Sequence, residues 1–164
     1  LGDVYKRQVM GHEGAGANMD YEEIFRTKKG FTDLGEAKQF AEETKCDWLS
    51  VAVGSIHGAI AEGVRNQKKP EARLDIEHIA DLSKVTGIPL VLHGGSGVPD
   101  DQIAAAVKAG IRKINFGTDV CCSLLDGIRA VDPSILALDL FMQGPTARVK
   151  DFAVSKIKLL GADK

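Results

Sequence analysis

No apolar run in this chain approaches the roughly 20 residues that a membrane-spanning helix needs. Residues 1–8 carry Asp3, Lys6 and Arg7 and have no apolar segment of the kind a secretory signal requires. An excess of one charge sign is also missing. Lys and Arg number 21 against 23 Asp and Glu, a formal net charge of −2. That balance gives no electrostatic case for nucleic acid or an acidic membrane as partner. Cysteine is scarce: Cys46, Cys121 and Cys122 are the three, and two are adjacent. This argues against a disulfide framework and makes a reducing cytoplasm the expected location. The chain has no initiating methionine and enters a Gly-rich stretch almost at once. It is expected to be the C-terminal part of a longer protein.

What is present suffices for a folded core: 164 residues, of which 44% are hydrophobic. Residues 11–20, Gly-His-Glu-Gly-Ala-Gly-Ala-Asn-Met-Asp, are too glycine-rich for a regular element and read as a mobile loop. Asp33 and Glu36 form a capping-box pattern. Ala37, Phe40, Ala41 and Thr44 then follow at helical spacing. Residues 48–55 read as a strand. Residues 59–73 are polar, contain Pro70 and read as a long loop. Asp75 is placed to cap a helix with inner face Ile76, Ile79, Ala80 and Ser83, closed by Gly87. Residues 89–92 form the next strand. Pro99 sits at a first helical position, Asp100 and Asp101 suit the positive end of that helix, and Gly110 ends it. Residues 112–116 make a third strand. Cys121, Leu124, Leu125 and Ile128 form a helical stripe stopped by Pro133, with Cys121 and Cys122 packed in the core. Val149, Phe152, Ala153 and Leu160 predict a last helix after Pro145.

This alternation calls for an α/β fold of parallel strands joined by right-handed crossovers. Three strands at this spacing suit a (β/α)8 TIM barrel, and a whole one takes about 250 residues. The expectation is the C-terminal portion of such a barrel, an incomplete barrel.

Two strands end in a histidine followed by glycine: Val53-Gly54-Ser55-Ile56-His57-Gly58 and Leu90-Val91-Leu92-His93-Gly94-Gly95-Ser96-Gly97. In α/β sheets the chemistry sits where parallel strands end. His57 and His93 stand about one βα unit apart, which predicts neighbouring strands and equal height. Imidazole suits a divalent transition metal, and a catalytic zinc keeps three protein ligands plus an open position. Singly, each histidine reads as a core residue satisfied by backbone; the matched pair favours a metal. Gly94, Gly95 and Ser96 offer amides and a hydroxyl for an anion just ahead of a helix, with a plain turn as the ordinary alternative. Gly58 would serve likewise on the previous strand. The third strand ends in Ile114-Asn115-Phe116-Gly117-Thr118-Asp119. Thr118 and the amides around Gly117 suit a phosphate, and Asn115 a sugar hydroxyl. Helix capping by Thr118 or Asp119 explains the same pattern equally well. His12 in the loop and His78 on a helix read as solvated. Lys68, Lys69 and Arg73 read as a wet basic stretch.

Together these three strand ends resemble the class II, metal-dependent fructose-bisphosphate aldolases, a family that includes the tagatose-bisphosphate aldolases. The likeness runs from about Gly11 to the closing Leu159-Leu160-Gly161-Ala162-Asp163-Lys164. Residues 1–8 do not share it and are expected to be a leader; residues 9–164 would then be the C-terminal part of one aldolase domain. The resemblance implies a (β/α)8 barrel and cleavage of fructose 1,6-bisphosphate, or its tagatose counterpart, to dihydroxyacetone phosphate and glyceraldehyde 3-phosphate in glycolysis. It implies zinc or another divalent metal on His57 and His93, often with a monovalent cation nearby. It places dihydroxyacetone phosphate at Gly58, Gly94, Gly95, Ser96, Asn115, Phe116, Gly117 and Thr118. It also implies a homodimer or homotetramer for the complete protein, with a small phosphosugar rather than nucleic acid or membrane as partner.

The departures are specific. The family's Asp-His pair, which supplies the remaining zinc ligand and the acid for the aldehyde oxygen, does not occur in this chain. A Glu-x-Glu segment expected just before Val9-Met10-Gly11 is missing. The loop acid normally stands in Gly-Gly-x-Glu-Asp; here the loop reads Gly-Ala-Gly-Ala-Asn-Met-Asp. Glu13, Asp20, Glu22 and Glu23 are therefore all candidates, each with an ordinary surface role as alternative. The chain by itself is expected to be inactive. The rival expectation is a truncated metal- or phosphate-binding remnant without catalysis. A phosphate-binding isomerase barrel is disfavoured, because it would not need paired histidines.

Overall fold

The computed structural model describes residues 25–55 and 73–163. The elements are α1 (Leu34–Thr44), β1 (Leu49–Val51), α2 (Ile76–Thr86), β2 (Leu90–Leu92), α3 (Asp100–Ala109), β3 (Ile111–Ile114), α4 (Thr118–Arg129) and α5 (Leu138–Leu159). They fall into two compact units that divide between Asn115 and Phe116. The expected loop at 11–20 lies outside the described residues, as does the one at 59–73 save for Arg73.

The first unit is built on a three-stranded sheet in the order β1-β2-β3. Both pairs are parallel, with Leu49 opposite Leu90 and Val51 opposite Leu92, then Leu92 opposite Ile114 after an irregularity between Leu90 and Val91. Every residue of β2 is buried, as a central parallel strand covered on both faces must be. Leu49, Val51, Leu90, Leu92 and Ile111 meet Ala37, Ala41, Ile79, Leu82, Ile103 and Ala106 in the core. This is the alternating α/β arrangement that the apolar periodicity requires.

The helix ends follow local chemistry. Asp33 Oδ1 accepts from the Glu36 amide at 2.9 Å, and Asp75 Oδ1 from the His78 amide at 3.0 Å. Gly87 closes α2 at φ 65°, the left-handed conformation that glycine adopts without strain. Pro99, expected at the first helical position, instead takes the N-cap of α3, so that Asp100 is its first residue.

Several expectations shift. The strand expected at 48–55 pairs only over Leu49–Val51, and Trp48 is 59% exposed. Residues beyond Val51 stay buried, yet their backbone bonds go elsewhere. The Ala52 amide donates to Thr32 Oγ1 at 2.8 Å, the Ala52 carbonyl accepts from the Thr32 amide at 3.0 Å, and the Val53 carbonyl accepts from the Asp75 amide at 3.0 Å. Likewise the third strand spans Ile111–Ile114 rather than 112–116. The inner face of α2 is His78, Ile79 and Leu82, with Ala80 turned to solvent. His78 is therefore buried, not solvated: its Nε2–H donates to the Thr32 carbonyl at 2.7 Å, and the Phe31 ring lies 5.8 Å away. A strap ahead of α1 thus covers the start of α2, tied further by a 2.8 Å ion pair between Lys28 and Asp75.

The second unit pairs α4 with α5. Here α5 begins at Leu138 and contains Pro145, instead of starting after it. Pro145 is buried, and a Cβ built on Gly127 would stand 2.6 Å from its Cα. The two backbones approach so closely that only glycine fits. α4 ends at Arg129, ahead of Pro133, and an Asp132 side chain accepting from the Ser134 amide at 2.9 Å shapes the turn. Cys121 and Cys122 are exposed rather than core, and Leu125 is half-exposed, because α4 turns its Gly127 face inward. Phe116 meets Phe152 edge-on at 6.2 Å, with the Lys156 ammonium over both rings. All three cysteines are free. No helix among the described residues is long and apolar enough to cross a membrane.

Candidate functional site

His93 is the first residue after β2. The peptide groups before and after it are each held by a residue just past the end of a neighbouring strand. On one side the Asn115 amide donates to the Leu92 carbonyl at 3.2 Å. On the other, Ser55 Oγ donates to the His93 carbonyl at 2.9 Å. The chain then turns sharply, with Gly94 at φ 85° and Gly97 at φ 78°, a region costly for residues with a Cβ. The Val98 amide closes the turn on the Gly95 carbonyl at 3.2 Å, and the Gly95 amide donates to the Asn115 carbonyl at 2.9 Å. The Gly95 amide therefore staples the loop to the end of β3. Ser96 is buried within this turn, and α3 starts just beyond, at Asp100.

The His93 ring is partly exposed as a whole, but its Nδ1 is shut off from solvent. Burial pushes its pKa below the ordinary 6.5, and the Lys113 ammonium adds to the shift. The imidazole is therefore neutral at pH 7 and carries a ring lone pair, the form a metal needs. Lys113, whose direction alternation leaves open, reaches forward past the end of its own strand: its Nζ donates to Asn115 Oδ1 at 2.8 Å.

Within the first unit, then, His93, Gly94, Gly95, Ser96 and Asn115 stand together on adjoining strand ends. Phe116, Gly117 and Thr118 open the second unit, where Gly117 is the N-cap of α4 and Thr118 its first residue. Capping by a Thr118 or Asp119 side chain is thus not how this helix starts. His57, Gly58, Glu13, Asp20, Glu22 and Glu23 lie outside the described residues, as do His12, Lys68 and Lys69. Arg73 is described, and its guanidinium stacks 4.5 Å over the Phe25 ring instead of pointing freely into water. Among the described residues no group of three or more His, Cys, Asp or Glu converges for a metal. The described donor set fits one ligand position, a neutral imidazole with a buried nitrogen at a strand end. Ser55 is the site residue that spacing did not single out; a serine two places before a histidine, on a buried run, was the available signal.

A family model described as class II fructose-bisphosphate aldolase matches residues 8–164. The uncharacterized protein YdjI of Escherichia coli K12 is 35% identical over 134 residues, 81% of this chain and 44% of its own length. A 6-phospho-5-dehydro-2-deoxy-D-gluconate aldolase of Shouchella clausii is 36% identical over 135 residues, covering 80% and 43%. A fructose-bisphosphate aldolase of Helicobacter pylori 26695 is 31% identical over 151 residues, covering 77% and 47%. The chain spans less than half the length of these relatives. Among solved structures, the YdjI aldolase of E. coli K12 superposes with a TM-score of 0.67 at 32% identity, covering 88% of this chain and 58% of that one. A fructose-bisphosphate aldolase of Campylobacter jejuni gives 0.63 at 18% identity, covering 93% and 49%, a likeness of fold alone. A family match through nearly the whole chain, joined to this strand-end histidine and glycine turn, places the chain in the class II fructose-bisphosphate aldolase family of lyases.

Proposed function

We propose that this chain is the C-terminal part of a metal-dependent aldolase on a (β/α)8 barrel. The complete protein would reversibly cleave a phosphorylated ketose to dihydroxyacetone phosphate and an aldehyde. His93 carries this reading: a neutral imidazole with one nitrogen buried, at the end of the central parallel strand, against a glycine turn. His93 and His57 would hold zinc or another divalent metal. Bound there, the metal supplies Lewis-acid charge beside the ketone oxygen. Gly58, Gly94, Gly95, Ser96 and Phe116 to Thr118 would grip the phosphate, with a monovalent cation beside it, and so fix which face of the ketone reacts. Asn115 would hydrogen-bond a substrate hydroxyl. One of Glu13, Asp20, Glu22 and Glu23 would move the proton. Lys113 is exposed and bonded to Asn115, unlike the desolvated amine that a Schiff-base aldolase uses.

Fructose 1,6-bisphosphate is the proposed substrate, in glycolysis in the cytoplasm, with a homodimer or homotetramer as the working form; tagatose bisphosphate differs at a single hydroxyl. A second reading has its own support in the Shouchella clausii relative, at 36% identity. The compound in that protein's name carries a ketone beside its phosphorylated carbon. Aldol cleavage of it releases the same dihydroxyacetone phosphate with a different aldehyde. The proposed phosphate grip serves either substrate. The test is cleavage by the complete, metal-loaded protein of each of the three sugars, before and after chelation. Turnover of one of them should vanish on chelation and return with added zinc. Full activity after complete metal removal would reject the metal role, and no turnover of any of them would reject all three proposed substrates.

A further inference from the structure

The paired register of β1 and β2 ends at Val51 and Leu92. Past that point the two chains are joined by a side chain: Ser55 Oγ donates to the His93 carbonyl at 2.9 Å. Ser55 is 2% exposed, so water does not readily replace it in this bond. Ser55 is itself held in place. Thr32 grips both the amide and the carbonyl of Ala52, and the Asp75 amide, at the cap of α2, donates to the Val53 carbonyl. The bonded carbonyl lies in the peptide plane between His93 and Gly94, where the chain swings to a positive φ. Turning that plane changes ψ at His93, and with it the rotamers open to the imidazole.

We infer that Ser55 is a positioning residue: its hydroxyl fixes the His93 carbonyl and thereby aims the His93 ring. The inference rests on the reading of His93 as a metal ligand. Outer partners of ligating histidines are worth roughly 10–100-fold in metal affinity. Here the partner acts through the backbone rather than through the second ring nitrogen.

The experiment measures zinc affinity of the complete protein by chelator competition, with the thermal midpoint of each metal-free variant alongside. Ser55→Ala should weaken zinc binding roughly tenfold or more in protein that remains folded, with the metal-free midpoint lowered only by the one buried hydrogen bond lost. Ser55→Thr, which keeps the hydroxyl, should bind within a few-fold of the parent. Parent-like zinc affinity in folded Ser55→Ala overturns the inference. Should Ser55→Ala fail to fold, Ser55→Thr and Ser55→Val share a shape and differ in the hydroxyl, and equal zinc affinity in that pair overturns it. His93→Ala tests the underlying reading separately. If it binds zinc as the parent does, His93 is not a ligand, whatever the Ser55 variants do.

Discussion

His78 and His93 show one side chain put to two uses by its surroundings. His78 gives its Nε2–H to the Thr32 carbonyl and lies against Phe31, so its ring is spent on holding the strap to α2. His93 keeps a neutral ring at a strand end beside Lys113. Little local in the sequence separates them beyond the glycines that follow His93. His78 follows Glu77 on a helix whose apolar face is narrow, and the residue that buries it, Thr32, is remote in the chain. The glycines after His93 were the visible difference. The lowered pKa of His93 has a consequence for stability. Below the ordinary 6.5 the unfolded chain takes up a proton that the folded ring refuses, so unfolding is favoured as pH falls through about 6.5 toward the folded value. Metal-free protein should therefore lose urea resistance between pH 8 and pH 5.5, and His93→Gln should lose less. Equal losses in parent and variant would show that His93 titrates alike in both states.

Among the elements, those with local causes were legible. Asp33 and Asp75 cap the amides three residues on, a rule that needs no knowledge of the rest of the fold. Strand ends were not legible, because β1 stops where Thr32 and Asp75 take over its backbone bonds, and neither partner is adjacent in sequence. The start of α5 is hidden from the sequence for a related reason. Proline ordinarily breaks a helix, at a cost of about 3 kcal/mol, yet Pro145 sits inside α5, buried against Gly127. That contact is between two helices, and only their packing reveals it. It also yields a prediction. Gly127→Ala would drive a methyl to within 2.6 Å of the Pro145 Cα, a backbone atom that cannot turn aside. The α4–α5 pair must spread, and overpacking of this kind costs roughly 1–3 kcal/mol. Hydrogen exchange should quicken in α4 and α5. Unchanged protection in both helices would mean that the two backbones do not approach this closely.

At the scale of the whole molecule, the alternating order of elements and the parallel sheet were readable from apolar periodicity, whereas closure of that sheet is not a property of three strands. Among the described residues β1 and β3 each pair with β2 alone. Parallel sheets are stable when their faces are covered and their edges paired, and a barrel would require further strands at both edges. In the second unit, Leu136 is 96% exposed and Leu138 74%, with Leu140 close by and also open to solvent. Exposed leucines this near in sequence add apolar surface that a partner can cover. Two kinds of unsatisfied surface, strand edge and exposed leucines, therefore bear on the chain studied by itself. It should associate as its concentration rises through the micromolar range, giving concentration-dependent species in sedimentation velocity. Joining it to the upstream half of a class II aldolase should replace those species with one defined assembly. A chain that sediments alone as a single monomer at high concentration would show that its edges and leucines are satisfied internally, and the proposed barrel would lose its main structural requirement.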